Sequence, residues 1–199
     1  MKTHWKQIVL TIIPTLVLLP AFAQTAAIDP ALLAKANAGD AAAMVTVGEN
    51  HAANAAMLHN ATQAGEEYRV AAEWYGKAAQ KGSIAGEMHL AALYRDGGKG
   101  FPRDMAQAAE WYRKAAEQGD VTAQGTLGVL YSIGQGVPQN DVEAYFWLDL
   151  AASVKGPSQE KYTANRQMVG THITTDELAE VEERVTKWQA AHPRTNALE

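Results

Sequence analysis

Six histidines are the first side chains in which to look for chemistry: His4, His51, His59, His89, His172 and His192. A zinc-binding helix places two imidazoles four residues apart with acidic company, and no pair here has that spacing. His51 and His59 could meet across a turn, but a solvated or capping role is expected of both, and no metal is assigned. Ser158-Gln159-Glu160-Lys161 carries S-x-x-K, the spacing of a serine nucleophile and its lysine, yet no K-T-G or S-D-N completes such a site. Glu66-Glu67 and Glu182-Glu183 are adjacent, and on a helix adjacent side chains point apart, which defeats acid/base pairing. Gly134-Gln135-Gly136 lacks the preceding strand of a phosphate cradle, and neither G-x-S-x-G nor a P-loop occurs. No catalytic residue and no cofactor is assigned.

The tryptophans remain. They could stack on sugars, but Trp74, Trp111 and Trp147 recur at spacings of 37 and 36, which points to packing between helices. AAEWYGKAAQKG (71–82) and AAEWYRKAAEQG (108–119) agree at nine of twelve positions. In the second, Ala108, Trp111, Tyr112, Ala115 and Ala116 share one helical face, with Glu110, Arg113, Lys114 and Glu117 opposite. Asp104 is the expected N-cap and Gly119 the expected C′ residue. The first copy repeats the face with Ala71, Trp74, Tyr75, Ala78 and Ala79. A weaker third copy reads Ala144, Trp147, Leu148, Ala151 and Ala152.

A different helix precedes each later copy. Leu90, Leu93 and Tyr94 share a face in one, Leu127, Leu130 and Tyr131 in the other, with Ala91 and Gly128 as the small residues that admit a neighbour. Gly/Pro turns follow, through Gly97, Gly98, Gly100 and Pro102 and through Gly134, Gly136 and Pro138. The unit is therefore helix, Gly/Pro turn, helix, Gly. A single pair cannot bury both apolar faces, so successive pairs must stack, as in a solenoid.

The patterns A-x-x-x-L-G-x-x-Y, G-x-G-V-P and A-x-x-W-[YL]-x-x-A-A resemble the Sel1-like repeat, a relative of the tetratricopeptide repeat. Ala123, Leu127, Gly128, Tyr131, Gly134, Gly136, Val137, Pro138, Ala144, Trp147, Ala151 and Ala152 carry it in the third unit. In the first unit, Val47 and Gly48 stand at the Leu-Gly positions but His51 replaces the tyrosine, and the turn through ANAAMLHNATQAGEE is longer. The resemblance implies an all-α, right-handed α-solenoid of antiparallel helix pairs, with units at about 40–82, 83–119 and 120–153. Residues 24–39 would supply a leading half-unit, 154–192 capping helices and 193–199 a tail. Thr174-Thr175-Asp176-Glu177 is a capping box, and Leu178, Val181, Val185 and Trp188 form the narrow apolar stripe that a solenoid end requires.

The resemblance also implies a binding module. The first helix of each unit would line a concave surface for a protein or peptide, with Glu49 in unit one, Met88, Arg95 and Asp96 in unit two, and Gly125 and Ser132 in unit three facing the partner. Some cysteine-rich Sel1-like proteins are regarded as β-lactamases, so S-x-x-K leaves a penicillin-recognising hydrolase as an alternative. A peptidoglycan-binding module is another. The first depends in those proteins on disulfides, and this chain has no cysteine.

Composition narrows the field further. The 199 residues are 47% hydrophobic, with only three phenylalanines, and the net charge of −5 argues against a nucleic-acid partner held through phosphates. The N-terminus runs from basic MKTHWKQ through the apolar IVLTIIPTLVLLP to AFAQ, which describes a secretory signal peptide over residues 1–23. The rival reading is an uncleaved membrane anchor, against which the apolar run is interrupted by Pro14 and Pro20 and is shorter than the ~20 residues a spanning helix needs. Cleavage after Ala23 would remove Lys2 and Lys6, make the chain two units more negative, and leave it periplasmic or secreted with no membrane span.

Overall fold

The computed structural model describes residues 27–193. Residues 1–23, read above as a signal peptide, and the tail from Arg194 lie outside them. Among the described residues nine α-helices follow one another: α1 (Pro30–Asn37), α2 (Ala41–Met57), α3 (Ala61–Gln80), α4 (Ile84–Asp96), α5 (Met105–Glu117), α6 (Val121–Ile133), α7 (Asp141–Ala152), α8 (Gln159–Gly170) and α9 (Thr175–Ala191). They form the expected all-α solenoid of antiparallel pairs, α2 with α3, α4 with α5 and α6 with α7, each pair packed on the next.

Local chemistry sets the boundaries. Each of the six helices in the three units begins at a side chain that accepts from the backbone N–H three residues on: Asp40, Asn60, Ser83, Asp104, Asp120 and Asn140. Each such cap contributes about 1 kcal/mol. α1, α3 and α5 end at Gly39, Gly82 and Gly119, whose φ of +99°, +78° and +90° disfavours side chains. The first-unit turn shrinks to Leu58-His59-Asn60 because α2 and α3 both extend, to 17 and 20 residues. α7 breaks the pattern. It ends at Ser153 without a C′ glycine, and α8 starts with no side-chain cap at Ser158.

The apolar faces make two adjoining cores. One gathers Val47, Trp74, Tyr75, Leu90, Leu93 and Phe101. The other gathers Ala91, Tyr112, Leu127, Leu148, Leu150 and Val181. α4 serves both, with Leu90 and Leu93 in the first and Ala91 in the second. The small residue at 128 is required, since a Cβ there would lie 2.6 Å from Leu148 Cγ and 3.0 Å from the Ala144 carbonyl oxygen. The Gly/Pro turns lock to the preceding pair in the same way. A Cβ on Gly100 would stand 1.9 Å from the Ala61 carbonyl oxygen, and one on Gly136 2.0 Å from that of Met105.

Candidate functional site

The first helices of the units, α2, α4 and α6, carry two clefts. Between α2 and α4 lies a space of about 630 Å³ lined by Val45, Thr46, Glu49, Lys81, Ser83 and His89, with small residues between them. Between α4 and α6 lies one of about 450 Å³ lined by Arg95, Asp96, Arg103, Met105, Thr126, Val129, Leu130, Ile133 and Gln135. The helical period explains the linings. With Leu90 and Leu93 turned into the core, His89 and Asp96 fall on the outward side of α4, seven residues apart. The same holds on α6 for Thr126 and Ile133.

In the α2–α4 cleft, His89 Nε2 stands 3.2 Å from Glu49 Oε1, and its ring stacks on Tyr75 with centroids 5.0 Å apart. Burial, followed by the charge of Glu49, pushes the Tyr75 hydroxyl up to about 12. In the α4–α6 cleft, Arg95 forks onto Asp96, Nε to Oδ1 at 2.7 Å and Nη2 to Oδ2 at 2.8 Å. Its third donor, Nη1, reaches the Tyr112 hydroxyl at 2.9 Å. The hydrogen bond from Arg95 holds the Asp96 carboxyl below its usual range. A cation fixed in this way keeps its geometry without a partner.

Of the residues the sequence places on a partner surface, Glu49 lines the first cleft and Arg95 and Asp96 line the second. Met88 is half-buried against the second core. Ser132 spends its hydroxyl on the Val129 carbonyl at 2.8 Å. Gly125 needs correction. It is buried under the ring of Tyr162, which a Cβ would meet at 2.1 Å, because α8 occupies the place of a next first helix. Sequence reasoning did not place the other lining residues there, among them His89, Arg103, Val129 and Ile133. The 37-residue period that pairs His89 with Thr126 and Asp96 with Ile133 was the signal available for them.

The remaining chemical candidates are scattered. His51 Nδ1 pairs with Glu67 Oε2 at 2.7 Å across α2 and α3, and His59 sits in the connection between them. Among the described residues, no three His, Asp or Glu side chains converge to hold a metal. Ser158 and Lys161 are both exposed. Trp74 and Trp147 are buried, and Trp111 is half-buried with its ring against both cores. Lys77 covers the ring of Trp74 at 4.1 Å and Lys114 that of Trp111 at 3.6 Å, which occupies a face a sugar would need. No helix among the described residues is long and apolar enough to cross a membrane.

The comparisons agree with this geometry. The family described as "Sel1 repeat" matches residues 57–83, 84–120 and 122–153, so that α3 alone stands for the first unit. The chain is similar to the crystal structure of a protective antigen present in uropathogenic Escherichia coli strains, which displays an SLR fold, with 32% identity and a TM-score of 0.65 over 84% of this chain. It spans 35% of that longer protein. It is also similar to a Sel1 repeat protein from Oxalobacter formigenes, with 31% identity and a TM-score of 0.52, over 69% of this chain and 97% of that one. No curated protein matches it.

Proposed function

The chain belongs to the Sel1-repeat family, whose repeats generally mediate protein interactions and are typically non-catalytic scaffolds, and from that premise we propose that it is an exported scaffold holding a protein or peptide partner in the bacterial cell envelope. The partner lies on a concave surface made by α2, α4 and α6. One observation carries the reading: two open clefts lie side by side along the first helices, and their linings differ in chemistry while the framework beneath them repeats. A basic start, an apolar run and Ala21-Phe22-Ala23 support export. A cysteine-free chain held by helix packing suits an oxidising compartment.

Site-specific photo-crosslinking in cells tests the surface. Benzophenone side chains at Thr46 or Thr126, which line the clefts, are expected to give adducts with a protein partner. The same group at the exposed Glu73 of α3 or Glu110 of α5 is expected to give none. Adducts from Glu73 and Glu110 alone would overturn the assignment. Export is checked by N-terminal sequencing: the periplasmic protein should begin at Gln24, and recovery of the uncleaved chain in the cytoplasm alone would reject it.

A further inference from the structure

The two clefts differ in charge. The α2–α4 cleft balances Glu49 against Lys81 and pairs Glu49 with His89. The α4–α6 cleft holds two guanidinium groups against one carboxylate, in a chain whose net charge is −5. Arg95 pairs its charge with Asp96 and places one N–H of each of its three nitrogens, two on Asp96 and one on Tyr112. Arg103 does not: it is exposed, and its Nη2 donates to the thioether sulfur of Met105 at 3.2 Å, a weak acceptor. The opposite wall is apolar, formed by Val129, Leu130 and Ile133, and Ile133 is 55% exposed.

We propose that the α4–α6 cleft docks an acidic segment of the protein partner in which an Asp or Glu stands beside a large apolar residue. The carboxylate meets Arg103, and the apolar side chain covers Ile133 and Val129. Charge complementarity selects this occupant. α4 and α6 both end at this mouth, at Asp96 and Ile133, whereas α5 begins at it, at Met105, so the partial charges of the helix ends oppose one another. Arg95 is offset by Asp96, so the full charge of Arg103 sets the sign of the site. Covering Ile133 removes apolar surface from water, which supplies affinity that an exposed ion pair lacks.

This inference rests on the first-helix face being the partner surface, and the experiment separates the two. The probes are two synthetic peptides, Gly-Ser-Leu-Glu-Leu-Gly-Ser and its Glu-to-Lys analogue, titrated into ¹⁵N-labelled protein and followed by NMR. The Glu peptide is expected to shift the amides of Arg103, Val129 and Ile133 and to bind about threefold more tightly than the Lys peptide, the discrimination of one exposed charge pair. Arg103→Glu should invert that preference, and Arg103→Gln should abolish it, with helicity by circular dichroism unchanged in both. Equal affinity, a preference for the Lys peptide or no shift with either would overturn the proposal. Shifts confined to Glu49 and His89 would overturn it and leave the first-helix surface standing. Shifts confined to Glu73 and Glu110 would remove both.

Discussion

Leu90, Leu93 and Tyr94 of α4 recur 37 residues on as Leu127, Leu130 and Tyr131 of α6, whereas His89, Ala92, Arg95 and Asp96 recur as Thr126, Val129, Ser132 and Ile133. The first set packs between helices. Of the second, His89, Arg95, Asp96, Thr126, Val129 and Ile133 line the clefts. Packing against an identical neighbour leaves little freedom of shape, because interiors are close-packed and a change of one methylene is felt. A side chain facing the groove rests on the framework on one side only, as His89 does on Tyr75 and Arg95 on Tyr112, so its open side is free to follow a ligand. Units two and three are thus one framework with two different surfaces, and the difference between them marks where recognition is written.

The strongest way to break this comparison is to strike the framework at equivalent places. Gly100→Ala and Gly136→Ala each force a Cβ into a carbonyl oxygen of the preceding pair at positive φ. Each is expected to cost about 3 kcal/mol in urea unfolding. A loss at one position only would show that the two turns are not equivalent. Leu90→Ala and Leu127→Ala should cost a similar ~3 kcal/mol apiece, because both are buried methyl-rich side chains between helices.

A subtler test exchanges the buried polar residues at equivalent positions. Glu87 accepts from Gln118 Nε2 at 2.7 Å, whereas Gln124 donates from Nε2 to the Ala116 carbonyl at 3.1 Å and its Oε1 has no partner among the described residues. Burial, opposed by Lys114 and by the Gln118 hydrogen bond, pushes the Glu87 carboxyl above its ordinary value. The contribution of Glu87 is therefore complete below the unfolded pKa and is lost as pH rises through the folded one. Glu87→Gln should accordingly gain stability relative to the wild type between acid and neutral pH, followed by thermal melting. Gln124→Glu should behave oppositely, losing about 2 kcal/mol near neutral pH because a carboxylate would face the Ala116 carbonyl. Matching pH profiles for the two variants would contradict the environments described. The smallest effect belongs to the clefts: Glu49→Ala and Thr126→Ala should move stability by no more than about 0.5 kcal/mol. A cost near that of Leu127→Ala would mean that these positions serve the framework instead.

Much of the framework was legible because it is one-dimensional. Asp104 as N-cap, Gly119 at C′ and the Thr174–Glu177 box all follow from neighbours in sequence, and the structure has each. The tryptophan stripe was legible from its period. What the sequence hid lies between helices. The His89–Glu49 pair spans two units, and its partner depends on how one pair is rotated on the next. Gly125 illustrates the limit most clearly. Repeat symmetry equates it with Met88, but the array stops after unit three and Tyr162 of α8 takes the space above it. Leu150 is the converse: lysines stand at the matching positions 77 and 114, yet α9 packs on α7, and position 150 is apolar and fully buried.

The joints between units also bear on how such a chain lengthens over generations. The passage from α3 to α4, a glycine at positive φ followed by Ser83 as cap, is duplicated from α5 to α6 by Gly119 and Asp120. A recombination event that copied the 37 residues between those joints would deliver a segment whose two ends already fit, and the new pair would find matching neighbours on both sides. The passage from α7 to α8 offers no such splice, since Ser153 is not followed by that glycine and Ser158 makes no cap bond. Growth by duplication is thus open in the interior of the array and closed at its C-terminal seam.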